Sequence, residues 1–139
     1  MSGSLSISAL GEDVLEAVKR FRQDRSTTLN ALVLKIDKDS QKFLLTDVYE
    51  DAELSLIRDD LPTRQPRFLL ISYPLKHSDG RASYPLVMVF ISPSGCNPEI
   101  QMLYAGSRNH LLSSCDLTKS FELRDAEDLT DEFLREKLM

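Results

Sequence analysis

Two histidines, two cysteines, one serine-rich turn and a run of carboxylates are the side chains in this chain with chemistry to offer. His77 falls in a turn-rich stretch and His110 on the polar flank of a helical stretch, and neither stands at metal-ligand spacing from a Cys, Asp or Glu. Cys96 and Cys115 lack the C-x-x-C spacing of a zinc or redox pair, so they read as reduced, packed thiols. Ser92-Pro93-Ser94-Gly95 is not the Gly-x-Ser-x-Gly elbow of a serine nucleophile, and no glycine-rich phosphate loop occurs. The carboxylates from Asp125 to Glu132 stand where the positive end of a helix dipole favours negative charge. The expectation is a protein that is not an enzyme and takes no metal and no cofactor.

Composition narrows the classes further. The 139 residues are 42% hydrophobic and 28% charged, which suits one globular domain spanning 1–139. Apolar runs such as Pro85 to Ile91 are far shorter than the roughly 20 residues a bilayer span needs. No charged-then-apolar leader precedes Leu5, Ser2 stands where a myristoylated Gly would, and Lys137-Leu138-Met139 offers no prenylatable Cys, so no membrane contact is expected and the setting is cytoplasmic. A net charge of -5 argues against nucleic acid, whose phosphates call for a basic face. A protein partner or a small molecule remains.

Periodicity then places the elements. Leu10, Val14, Ala17, Val18 and Phe21 recur at helical spacing, predicting a helix from Ser8, its cap, to about Asp24. Asn30 to Asp37 and Gln41 to Tyr49 read as a hairpin around Lys38-Asp39-Ser40, and Arg67 to Leu75 with Ser83 to Ser92 as a second strand pair around the turn signal Asp79-Gly80. The run Leu86 to Ile91 is continuously apolar, as in a central strand covered on both faces. A short acidic helix is expected from Asp51 to Leu61, ended by Pro62, and a strand from Ser120 to Arg124. A last helix follows, capped by Thr130, with Phe133, Leu134 and Leu138 facing inward. The fold class is α+β: a mixed, mainly antiparallel sheet of five to six strands sandwiched between helices.

One helix carries the functional signal. Asn97-Pro98 is an N-cap followed by Pro at the first helical position, opening a helix to about Leu112. At 100° per residue, Leu103, Tyr104, Ser107 and Leu111 cluster within about 60° of one direction and form the buried stripe. The opposite face carries Met102, Ala105, Gly106 and Asn109, which are small, apolar or uncharged where a surface helix normally shows Lys and Glu. Gly106 costs about 1 kcal/mol relative to Ala inside a helix, a penalty that close approach of another backbone would justify. This face is either covered by the protein's own loops or inserts into a partner's groove.

The stretches Leu61 to Phe68, Asp79 to Leu86 and Met102 to Ser107 carry a resemblance, supported by Lys35 to Asp39, Glu127 to Thr130 and Leu134 to Leu138. Over nearly its whole length the chain resembles the glia maturation factor family, in the actin-depolymerising factor homology superfamily. The resemblance implies a five- or six-stranded sheet between two pairs of helices. It further implies that the helix from Asn97 wedges, with help from the N-terminus around Ser2, into the cleft of an actin-like subunit, with Met102, Ala105, Gly106 and Asn109 in contact. The implied partner is the actin-related protein 2/3 complex, whose nucleation the family suppresses and whose branches it dissociates. A monomer acting in branched cortical actin networks is expected.

The competing expectation is a cofilin-like protein that severs or depolymerises actin filaments. Cofilin-like members carry basic residues early in the docking helix, where this chain has Glu99 and Gln101. Debranching also calls for a second surface toward an actin subunit of the daughter filament. Lys19, Arg20 and Arg22 on the first helix, Arg64 and Arg81 in turns, and Arg135 on the last helix are the candidate cations, read either as this surface or as solubilising charge. The resemblance implies a surface near the loop between the second pair of strands and the last helix, which makes Arg81 and Arg135 the preferred members.

Overall fold

The continuously apolar run Leu86 to Ile91 becomes an interior strand of a sheet, paired on both sides. A computed structural model describes residues 11–24, 26–117 and 119–138. Its strands are β1 (Asn30–Asp37), β2 (Lys42–Tyr49), β3 (Arg67–Ser72), β4 (Leu75–Lys76), β5 (Ala82–Ser83), β6 (Leu86–Ile91) and β7 (Ser120–Leu123). Its helices are α1 (Glu12–Gln23), α2 (Leu54–Asp60), α3 (Pro98–Ser114) and α4 (Asp131–Leu138). Five strands run in the order β2-β1-β3-β6-β7, antiparallel except for the parallel pair β6 and β7, while β4 and β5 form a separate two-stranded hairpin. The sheet is mixed and mainly antiparallel.

Alternation along the strands sends side chains into two cores. Ala31, Val33, Leu69, Ile71, Val87 and Val89 pack with Leu54 and Ile57 of α2 and with Leu134 and Leu138 of α4. Leu32, Leu34, Phe68, Leu70, Met88 and Phe90 pack on the other face with Val14 and Val18 of α1 and with Leu103, Tyr104 and Leu111 of α3. Being covered on both faces is why Leu86 to Ile91 shows no polar alternation. Phe68 is fully buried, with ring centroids 4.9 Å from Phe90 and 5.5 Å from Tyr104, so α3 is held by an aromatic cluster.

Several boundaries differ from the sequence expectation, each for a local reason. The second strand pair is not continuous to Leu75 and from Ser83: it breaks at Tyr73-Pro74 and Tyr84-Pro85, because proline has no N–H for the ladder. Tyr73 N–H still donates to Pro85 O at 3.1 Å, and β4 and β5 resume beyond, closed by Gly80 at φ +93. The first helix begins at Glu12, with Gly11 at the cap position and no side-chain cap bond, so the expected cap Ser8 lies outside the described residues. α2 starts at Leu54 rather than Asp51, because Asp51 takes φ +49 and its N–H is bound by Asn30 Oδ1 at 2.9 Å. Its end is as expected: Leu61 is extended, as a residue before proline prefers. Thr130 caps α4, its Oγ1 accepting from Phe133 N–H at 3.1 Å.

Candidate partner-docking face

α3 is fastened at its start, along its side and at its end. Asn97 Oδ1 accepts from Glu99 N–H at 2.8 Å and Pro98 fills the first helical position. Tyr104 hydroxyl accepts from Ile36 N–H at 2.8 Å, two residues past Leu34↔Phe68, where the described register between β1 and β3 stops. Burial pushes the Tyr104 phenol above its ordinary value, so it stays a neutral donor and acceptor. Arg108 ties the flank of α3 to β7 through Ser120 Oγ at 3.0 Å and Glu122 at 3.3 Å. At the far end Arg22 of α1 donates to the backbone oxygens of Cys115 and Asp116, the latter at 2.8 Å.

The helix so fixed presents the face read from its periodicity. Leu103, Tyr104, Ser107 and Leu111 are buried. Met102 is 72% exposed, and Ala105, Gly106 and Asn109 stand exposed beside it. Ser113 extends the row one turn further and was legible from the same seven-residue spacing. Among the described residues no loop of the protein covers this row. An uncharged ridge on a rigid helix suits docking, and it offers nothing that transfers protons or electrons. Gln101, expected to face the partner beside Glu99, is instead half-buried, its Nε2 donating to Ser92 Oγ at 3.2 Å. Glu99 is exposed.

His77 and the two cysteines are engaged in local bonds and packing, while the carboxylates from Asp125 to Glu132 are exposed. His77 Nε2 and Ser83 Oγ lie 2.8 Å apart and brace the hairpin of β4 and β5. Cys96 Sγ donates to Pro93 O at 3.0 Å, and burial pushes the Cys115 thiol up to about 11. Among the described residues no group of three or more His, Cys, Asp or Glu could hold a metal ion, and no helix is long and apolar enough to cross a membrane.

The candidate cations are not brought together as one surface. Lys19 and Arg20 are exposed on α1, and Arg135 is exposed on α4, which covers the other face of the sheet. Arg64 precedes β3 and Arg81 follows it, so the two lie beyond opposite ends of that strand. Arg22, expected as a free surface cation, is committed to the end of α3 as described above. Arg81 and Arg135 do share an end of the sheet: Tyr73, where β3 gives way to the hairpin carrying Arg81, donates to Asp131 Oδ1 in the first turn of α4 at 2.8 Å. Ser2 lies outside the described residues.

The profile of the family described as cofilin/tropomyosin-type actin-binding protein matches residues 7–139. Human glia maturation factor beta is 49% identical over 138 residues, covering 99% of this chain and 97% of the relative. The chain belongs to the glia maturation factors, within this actin-binding family. Glia maturation factor from Drosophila melanogaster is 36% identical over 129 residues, 93% of this chain and 94% of that protein. The solution structure of glia maturation factor from Caenorhabditis elegans superposes with a TM-score of 0.84 at 43% identity, covering 99% of both chains. Plasmodium berghei actin depolymerization factor 2 shares the fold alone, with a TM-score of 0.81 at 19% identity over 97% of this chain and 99% of its own. The sandwich of a mixed sheet between helices is therefore the actin-depolymerising factor homology fold.

Proposed function

We propose that this glia maturation factor is a non-enzymatic regulator of actin networks that docks α3 on an actin-related subunit of the actin-related protein 2/3 complex, suppressing branched nucleation and dissociating branches. The observation that carries the reading is the ridge of Met102, Ala105, Gly106 and Asn109, uncharged and, among the described residues, uncovered on a helix fastened at both ends. Its setting is the cytoplasm, at branched cortical networks, and Ser2 with the N-terminus belongs to the same contact. The protein works as one domain and one copy.

The alternative is direct, cofilin-like binding to actin, favoured by the description of the family as actin-binding. Against it stands Glu99, an exposed carboxylate on the first turn of the docking helix that would meet an acidic actin surface. Co-sedimentation with the purified complex, beside a titration of monomeric actin, separates the two readings. Retention by the complex with negligible monomer binding is expected, and micromolar affinity for the monomer with none for the complex would overturn the reading.

Branch dissociation is assigned a second surface at the end of the sheet where Arg81 and Arg135 sit. Lys19, Arg20 and Arg64 lie elsewhere on the molecule and serve it as solvated charge. Arg81 is paired with Asp79 at 2.6 Å, an exposed pair that a partner's carboxylate can replace at little cost. Charge reversal at Arg81 and Arg135 together is expected to slow branch loss in a filament-imaging assay while leaving affinity for the free complex nearly unchanged. Equal losses in both assays would mean one continuous site.

A further inference from the structure

Beside the first turns of α3 the fold leaves a cleft that the outward ridge does not use. β1 continues to Asp37 after its described pairing with β3 stops at Leu34↔Phe68, while the chain entering β3 turns away at Gln65-Pro66. The opening between them is a cavity of about 250 Å³. Ile36, Pro66, Ile100, Leu103 and Tyr104 make apolar walls, and the Tyr104 hydroxyl, bonded to the backbone of Ile36, closes that polar group off. Lys35, Lys38 and Arg67 also line the cavity.

The charge of this cleft opposes that of the molecule. Its lining includes three cationic residues and one carboxylate, Asp37, in a chain whose net charge is -5. Asp37 is occupied locally: its Oδ2 accepts from Ser40 Oγ at 2.6 Å and from Ser40 N–H at 3.1 Å, bonds that pull its pKa below the ordinary value, with Lys35 adding to the pull. Arg67 is held in place by donation to Pro66 O at 2.7 Å and Gln65 Oε1 at 3.0 Å. No salt bridge among the described residues engages Lys35, Lys38 or Arg67.

We infer that this cleft receives an acidic segment of the polypeptide on which α3 docks, with the stem of an Asp or Glu against the apolar walls and its carboxylate between Lys35, Lys38 and Arg67. The inference rests on the docking reading proposed above, because Ile100 and Leu103 belong to the same helix as the ridge and place the cleft alongside it. A carboxylate on a carbon stem uses both features of the lining, its apolar residues and its cations, whereas a bare phosphate would leave the apolar walls without a partner.

The test uses the full chain and the purified actin-related protein 2/3 complex. Zero-length carbodiimide coupling followed by mass spectrometry is expected to join Lys35 or Lys38 to Asp or Glu residues of one actin-related subunit. The double variant Lys35→Glu with Lys38→Glu, checked for an unchanged melting curve, is expected to bind the complex about tenfold more weakly and with a shallower salt dependence. Arg67→Gln, which keeps a polar side chain of similar reach, supplies the second variant should the double one fail to fold, and it is expected to weaken binding severalfold. Wild-type affinity and salt dependence in these variants, with coupling that omits Lys35 and Lys38, would overturn this inference while Met102→Lys still weakened binding. A wild-type chain that does not bind the complex would overturn the docking reading and this inference with it.

Discussion

The guanidinium of Arg22 reaches from α1 to the backbone oxygens of Cys115 and Asp116 just past α3, beside the end where the helix dipole favours a cation. In the sequence Arg22 sits beside Lys19 and Arg20 and cannot be told from them, since its partner lies more than ninety residues away. Cys115, the residue whose carbonyl it caps, is itself buried, and that burial holds the thiol up to about 11 against an ordinary 9.0, with the Arg22 charge opposing the shift. The folded chain therefore keeps a proton that the unfolded chain gives up between those values. The contribution to stability is whole below about pH 9 and is lost as pH rises toward 11, at up to about 1.4 kcal/mol per pH unit. Urea unfolding at about pH 8 and about pH 10 should show a shallower decline for Cys115→Ala than for the wild type, the tyrosines titrating alike in both. Equal declines would mean that the thiol ionises as readily folded as unfolded.

At the scale of elements, α3 was legible almost residue by residue, and the second strand pair was not. Asn97-Pro98, the buried stripe and the uncharged opposite face are all properties of spacing within one helix. The breaks at Pro74 and Pro85 depend on which strand each backbone group faces, which period-two alternation does not carry. The cleft of Lys35, Lys38 and Arg67 was invisible for the same reason, since only strand register brings Arg67 to the end of β1. Gly106 tests the functional side of α3 separately from its folding. It is exposed in a helix interior, so Gly106→Ala should stabilise the chain by about 0.5–1 kcal/mol, seen as a rise of a few degrees in the thermal midpoint. The same methyl group is expected to weaken binding to the complex severalfold, because the proposed docking brings a partner backbone close to this position. Stabilisation with undiminished binding would remove the close approach.

For the molecule as a whole, the fold divides its labour between two layers. One layer packs α1 and α3 over the aromatic cluster of Phe43, Phe68, Phe90 and Tyr104, and the other packs α2 and α4 over aliphatic residues with Phe121 edge-on to Phe133. The ridge belongs to the first layer and Arg135 to the second, so the surfaces proposed for docking and for branch dissociation lie on different sides of one sheet. The sequence carried this layering through its patterning, but the scatter of Lys19, Arg20, Arg64, Arg81 and Arg135 over the surface needed the fold. Because the Met102 side chain is separate from both cores, its substitution should alter binding and leave stability alone. The measurement that reaches the central claim most directly is the affinity of Met102→Lys for the purified actin-related protein 2/3 complex, with thermal unfolding recorded on the same samples. A loss of tenfold or more, about 1.4 kcal/mol, at an unchanged melting curve is the predicted result. Wild-type affinity in a folded Met102→Lys chain would contradict the assignment of α3 as the docking helix.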